Sequence, residues 1–444
     1  MESSINKKVT TGYLLKFSMP TIISMLLMSL FGIVDGVFVS RIIDPIALSA
    51  VGIVFPFLTF ALSVGFMLGT GGNALVAKKI GEGREKEART NFTLISLSAF
   101  IVSVVLSSLG LFFPDLVLRI LGADDFIRPM ALEYMEPLLY FAPVIVLGIV
   151  FQQFLITEGK AHIITISTVV GGAINIGLNF LLIYVLEMGL RGAAIATSVG
   201  YTIAFIVGMF YFTFKRKGLL YFVRPKFDWR VLVKSSTNGA SEMVAMLATS
   251  ITSVLMNNVL IRIEGPEAVA AAGIMFAGMG ILTAFFFGYT SGIAPIISYN
   301  FGKKDTDNLK RLYSASLRLV GVISLLSIAL GWLLTDAIIN IYDIPPGTNI
   351  RYMAFAGLRI ITLGFTFMGF NAFASMMFTA LNNGKLSAIL SFFRTLVFVV
   401  ISFMVLPELF GLTGAWVAIP FAELLAIAMS VFFLKKMKKV YNYA

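Results

Sequence analysis

The sequence predicts an all-α integral membrane protein: twelve transmembrane helices in two six-helix lobes related by a pseudo-two-fold axis along the membrane normal. Three observations carry this. Of 444 residues, 58% are hydrophobic and only 13% are charged, with a mean hydropathy of +0.92, more apolar surface than a water-soluble chain could hide. The apolar residues gather into twelve long stretches, each able to supply the roughly 20 residues that cross a hydrocarbon core of about 30 Å. The second six stretches repeat the first six at an offset of about 221 residues.

The first set of spans is expected near 14–40, 46–77, 92–113, 131–157, 162–186 and 191–214, and the second near 235–262, 267–298, 312–334, 351–381, 386–410 and 412–434. Several exceed the minimum length, which implies tilt, kinks or extension beyond the lipid. The resulting organisation is an N-terminal lobe (1–214), a linker (215–234) and a C-terminal lobe (235–444). Met1 to Lys8 leads into a span too long for a signal peptide, so the first helix is expected to stay.

The net charge of +11 is distributed by topology, which argues against nucleic acid. Alternate connections carry 25 Lys and Arg on one side and six on the other (Arg41, Arg119, Arg128, Arg191, Arg262 and Arg351). This positive-inside pattern places both termini and the linker in the cytoplasm, in a plasma or inner membrane. The repeat is gapless through the first two spans of each half. Arg41, Ala47, Ala50, Gly52, Ile53, Phe55 and Gly81 correspond to Arg262, Ala268, Ala271, Gly273, Ile274, Phe276 and Gly302. Halves of six spans insert in the same orientation, so a substrate path between them with alternating access by rocking is expected, and a monomer suits it. The segments after Gly81 and Gly302 read as helix stops followed by short solvated amphipathic helices, and the linker as a topological anchor.

Motif absences narrow the chemistry. There is no phosphate-binding G-x-x-x-x-G-K-[ST] sequence, no cysteine, and a single histidine, His162. An ATP-driven motor, an enzyme with a thiol nucleophile, a metal centre and a bound cofactor are not expected. Secondary transport remains, in which a gradient of H+ or Na+ is the driving force. An ionisable group inside the bilayer costs roughly 2.5–3.5 kcal/mol and so marks a functional position. Asp35 is the clearest such group, six residues before Arg41 and so about 9 Å deep. Asn179 lies eight residues before Glu187 and Thr197 six after Arg191, at comparable depth, and Asn175 shares a helix face with Asn179. If spans one, five and six adjoin, Asp35, Asn175, Asn179 and Thr197 form one oxygen-rich pocket; otherwise the three neutral residues are ordinary interhelical hydrogen-bonding groups.

Pro20, fifteen positions before Asp35, resembles a feature of one known family when taken with Val34-Asp35-Gly36, Val39-Ser40-Arg41, Ala47-Leu48-Ser49-Ala50-Val51-Gly52, Asn175-x-x-x-Asn179 and Thr197. Together these are similar to the multidrug and toxic compound extrusion (MATE) transporters over essentially all twelve spans. The resemblance implies export of amphipathic, often cationic drugs in exchange for protons or sodium ions, through a V-shaped pair of lobes. By analogy with one branch of the family, it implies a cation site at Asp35, Asn175 and Thr197. Asn179 departs, because that branch of the family carries aspartate there, and a single carboxylate favours a proton over sodium. Pro20 is expected to let the first helix bend on protonation.

Other members of the family use acidic residues of the seventh and tenth spans. The tenth span here has none, and Glu242 lies near the start of the seventh, where it either attracts or gates substrate or makes a structural contact. Arg359, Arg394 and Glu423 are expected to include an internal ion pair. Gly69, Gly71, Gly72, Gly288 and Gly292 are expected to permit close helix approach. Two other readings stay open on sequence: a flippase for a lipid-linked substrate, and a sensor or channel without stoichiometric coupling.

Overall fold

The computed structural model describes residues 9–38, 43, 45–123, 125–342 and 344–444, apart from the side chains at 36, 37, 45, 46, 48 and 49. Val39, Ser40 and Arg41 of the family pattern, and Lys7 and Lys8 of the charge count, lie outside the described residues.

The first half contains α1 (Thr11–Phe38), α2 (Pro45–Gly81), α3 (Glu85–Phe112), α4 (Pro114–Ile120), α5 (Arg128–Thr157), α6 (Ala161–Asn179) with a π-helical extension (Phe180–Val185), and α7 (Gly189–Phe214). The second contains α8 (Trp229–Glu264), α9 (Pro266–Lys303), α10 (Thr306–Leu333), α11 (Thr335–Ile341), α12 (Asn349–Thr362), α13 (Phe365–Ala380), α14 (Gly384–Phe392) with a π-helical turn (Phe393–Val397), and α15 (Phe398–Tyr441).

Ten helices among the described residues are long and apolar enough to cross a membrane. The pair α12 and α13, bent by 50°, adds one broken span. The run Gly384–Tyr441 has 58 residues, roughly 90 Å of helix at ~1.5 Å per residue, three times a hydrocarbon core. It divides at Gly411, whose φ of 56° only glycine adopts freely, which brings the spans to twelve.

The 221-residue repeat reaches further than the sequence pattern shows. The starts of α2, α3 and α4 at 45, 85 and 114 map onto those of α9, α10 and α11 at 266, 306 and 335. The short helices α4 and α11, which hydropathy does not reveal, are thus also copies of one another. One expectation fails: no separate amphipathic helices follow Gly81 and Gly302. The charged segments Glu85–Arg89 and Thr306–Arg311 are instead the first turns of α3 and α10, because nothing helix-breaking separates them from the apolar runs that follow.

The two halves meet most closely at the basic end of the bundle, which carries Lys78–Arg89, Lys303–Arg311 and Lys435–Lys439. A Cβ on Gly81 would run into the Tyr299 carbonyl, and one on Gly302 into the Lys78 carbonyl. The repeat carries Gly81 onto Gly302 and Lys78 onto Tyr299, so these are two copies of one contact, as a two-fold axis requires. Gly71, Gly288 and Gly292 likewise lie against α8 or α1, while Gly69 and Gly72 lie against α5 and α3 within the first half. Toward the opposite end the cores separate. One is built from α2, α4, α5 and α7 around Val54, Met135 and Leu190, the other from α8, α9, α12 and α15 around Met256, Leu358 and Trp416.

Candidate functional site

The candidate site lies where α1, α6 and α7 converge inside the first half. Close approach of α6 and α7 comes first: a Cβ on Gly171 would sit 2.5 Å from the Gly200 carbonyl oxygen, and one on Gly200 3.0 Å from the Asn175 Cβ. The glycines let the two helices touch, so that Asn175, Asn179 and Thr197 stand side by side. All three are buried, at 8%, 0% and 9% exposure.

Against them α1 presents Asp35. Its Oδ1 accepts from Asn179 Nδ2 at 2.6 Å and Asn175 Nδ2 at 3.3 Å, and its Oδ2 from Thr197 Oγ1 at 2.8 Å. The asparagines are themselves linked, Asn179 Nδ2 to Asn175 Oδ1 at 3.4 Å. The structure therefore brings together all four residues that the sequence grouped by depth. A carboxylate with three donors on its two oxygens is well satisfied as an anion. The Asn179 Oδ1 is buried and has no partner among the described residues.

Asp35 opens onto a cavity of about 90 Å³ lined also by Phe31, Gln152, Thr168 and Tyr201. Sequence reasoning missed Gln152 and Tyr201. Tyr201 was within reach, since it follows Thr197 by four residues and so shares its helix face; Gln152 lies on α5, whose packing beside this site no local pattern announces.

Pro20 sits inside an unbroken α1, 15 residues before Asp35. Its carbonyl, about four turns from the site, accepts from Thr165 Oγ1 of α6 and from Ser24 Oγ, both at 2.8 Å. These hydroxyls bind the seam between α1 and α6 where the proline weakens the helix.

The second half holds different chemistry. Arg394 Nε donates to both Glu423 oxygens at 2.9 and 3.0 Å, and Asn371 Nδ2 donates to Glu423 Oε2 at 2.7 Å. This is the internal pair expected from the sequence. Arg359 lies instead over the rings of Phe355 and Trp332, at 4.2 and 5.8 Å. Glu242, half-buried on α8, is placed to feel the charge of Arg394 but makes no hydrogen bond or ion pair among the described residues. In the repeat, Met256 stands where Asp35 does, and Ile419 where Thr197 does at the 222-residue offset set by Gly189 and Gly411. The repeat thus does not carry the Asp35 cluster into the second half. Among the described residues no group of three His, Cys, Asp or Glu side chains could hold a metal ion.

A family model described as MatE matches this chain twice, at residues 20–181 and 243–404. The chain belongs to the MATE family. Its members are membrane transporters rather than enzymes, and the two matched segments fall one in each half. The multidrug export protein MepA of Staphylococcus haemolyticus (strain JCSC1435) is 23% identical over 443 residues, covering 98% of this chain and 95% of that protein. A solved MATE structure in complex with MaL6 superposes with a TM-score of 0.94 at 22% identity, covering 100% of both chains. A MATE structure in the straight conformation superposes with a TM-score of 0.92, also at 22% identity and with full coverage of both. In this MATE chain the all-helical, two-lobe architecture agrees with those folds.

Proposed function

We propose that this MATE-family transporter is a cation-coupled antiporter that exports amphipathic, often cationic compounds by alternating access, with both termini in the cytoplasm. The observation that carries the reading is the satisfied Asp35 carboxylate between Asn175, Asn179 and Thr197. One carboxylate serves a proton best. As an anion Asp35 needs donors, which Asn179 Nδ2 and Thr197 Oγ1 supply. Once protonated it is itself a donor and needs an acceptor, and the unpartnered Asn179 Oδ1 is that acceptor after a half-turn of the amide. One amide thereby serves both states, and the exchange of partners loosens α1 from α6 and α7. Pro20 gives α1 a place to bend as it is released. The drug-export component is supported by the likeness to MepA proteins, whose name describes multidrug export.

The test is transport of a cationic dye in proteoliposomes under separately imposed proton and sodium gradients, with wild type and Asp35→Asn compared. Uphill movement that follows one gradient and vanishes in the variant is expected. Gradient-driven efflux that survives in Asp35→Asn removes the proposal.

A further inference from the structure

At the basic end, a cavity of about 320 Å³ opens between the start of α1 and the first turns of α10, lined by Val9, Thr10, Thr11, Lys310, Arg311 and Arg318. We propose that this groove is a binding site for the phosphate of an anionic phospholipid, held by Lys310, Arg311 and Arg318.

The repeat isolates what is special about it. The corresponding face of α3 carries Arg89, Thr90 and Leu97 at the positions of Lys310, Arg311 and Arg318. Topology asks only that this end be basic, and both halves meet that demand. The second half adds two arginines, one in place of a threonine and one in place of a leucine that is 44% exposed in an apolar stripe with Ile101 and Val105.

The cations of the two halves also differ in their partners. In the first, Arg89 pairs with Glu85 at 2.9 Å, Lys79 with Glu87 at 3.2 Å and Arg84 with Glu87 at 2.5 Å. Arg89 further donates to the Leu219 carbonyl at 2.9 Å. In the second, Lys310, Arg311 and Arg318 have no acid within 4.0 Å among the described residues, and Asp307, one turn before Arg311, does not pair with it. Arg318 Nε reaches only its own helix, at the Ser314 carbonyl, 3.4 Å away.

Arg318 shares its face of α10 with Val322 and Leu325, which are 53% and 71% exposed and turn toward lipid. A guanidinium at the head of an apolar, lipid-facing stripe is costly unless an anion meets it there. A phospholipid satisfies both parts: its phosphate takes the three cations, and its acyl chain lies along Val322 and Leu325. Free phosphate offers only the first. The groove also has a structural role, because Val9, hydrogen-bonded through its N–H to Asn308 Oδ1 at 3.4 Å, ties α10 to the segment that leads into α1, the helix that carries Asp35. A lipid seated there joins α1 to the second half.

The experiment is lipid retention by the full-length protein, purified in mild detergent and read by native mass spectrometry after exposure to phosphatidylglycerol, phosphatidylcholine or inorganic phosphate. Arg311→Thr with Arg318→Leu installs the residues of the other half, and Lys435→Gln with Lys436→Gln removes equal charge elsewhere at the same end. Wild type and the lysine variant are expected to retain phosphatidylglycerol over phosphatidylcholine, and the arginine variant to bind it about thirtyfold more weakly, at the usual contribution of a basic residue near an anionic surface. Arg318→Leu alone, a milder change, is expected to show an intermediate loss. Equal retention by wild type and the arginine variants, equal loss in the arginine and lysine variants, or displacement of the lipid by inorganic phosphate each overturns the site.

Discussion

Gly71 of α2 and Gly239 of α8 meet backbone to backbone, a Cβ on Gly71 falling 2.5 Å from the Gly239 nitrogen. The repeat converts this pair into Gly292 of α9 and Ser18 of α1, which also meet: a Cβ on Gly292 lies 2.9 Å from the Ser18 Cβ. The two crossings close the basic end of the molecule symmetrically. If transport requires this end to open, fixing one crossing stops it. The chain has no cysteine of its own, so Ser18→Cys with Gly292→Cys adds a single disulfide once the two helices part by more than half an ångström to reach the roughly 3.5–4.5 Å between Cβ atoms. Oxidation is expected to abolish dye transport in proteoliposomes, and a reductant to restore it. Undiminished transport by the crosslinked protein means that these helices do not part.

Asn179 is the position where this chain has an amide against the carboxylate of the related branch. Its side chain lies 2.6 Å from Asp35, so Asn179→Asp places two carboxylates in one site, with Asn175 and Thr197 oxygens beside them. Hard monovalent cations are held by such oxygen clusters, and two negative charges so close repel unless a cation joins them. The variant is expected to gain sodium-driven efflux severalfold over wild type under a sodium gradient. Transport that remains indifferent to sodium shows that the surrounding geometry, rather than the missing charge, decides the ion.

Much of this arrangement is legible in the chain before any coordinates. Asp35, Asn175, Asn179 and Thr197 could be grouped because depth along a membrane helix follows from residue count, and lipid forbids stray carboxylates. The break between α12 and α13, unlike the one at Gly411, was not legible. α12 and α13 bend by 50° around Leu363 and Gly364 in a continuously apolar run, and hydropathy records length but not direction. Nor could spacing reveal that the π-helical turn at Phe393–Val397 aims Arg394 at Glu423, because the pair comes from two spans 29 residues apart. The reciprocal contacts of Gly81 and Gly302 show the complementary case: the repeat predicted equivalence, and only packing shows that the equivalent surfaces face each other.

The Arg394–Glu423 pair is buried, with side chains 10% and 8% exposed, and Asn371 is held in the same network by Ser430 at 2.8 Å. Removing one partner strands the other charge in a dry site. Arg394→Met is expected to lower unfolding stability by about 3–5 kcal/mol, while Arg394→Met combined with Glu423→Gln recovers most of that loss. Thermal unfolding of the two single variants and the double variant in detergent measures the coupling. Additive losses would show that the charges act independently.

Glu158, beyond the end of α5, fastens the segment between the halves. Its carboxylate accepts from the Leu220 N–H, and from Tyr211 Oη at 3.1 Å, while Phe222 stacks on Phe92 with centroids 5.2 Å apart. Burial pushes the Glu158 carboxyl above its ordinary value, against the opposing pull of the Leu220 and Leu219 N–H groups, Tyr211 and Lys160. An acid raised in this way binds its proton more readily when the segment is docked than when it is free. Docking is therefore firmest with Glu158 protonated, and weakens as pH rises from the ordinary 4.5 through the raised value. Amide exchange of residues 219–223, corrected for intrinsic rates, is expected to speed up across that window in wild type and to lose the dependence in Glu158→Gln, whose amide oxygen can still accept from Leu220. The same slope in both proteins would assign the effect to another group, with Tyr211 and Lys160 the nearest to test.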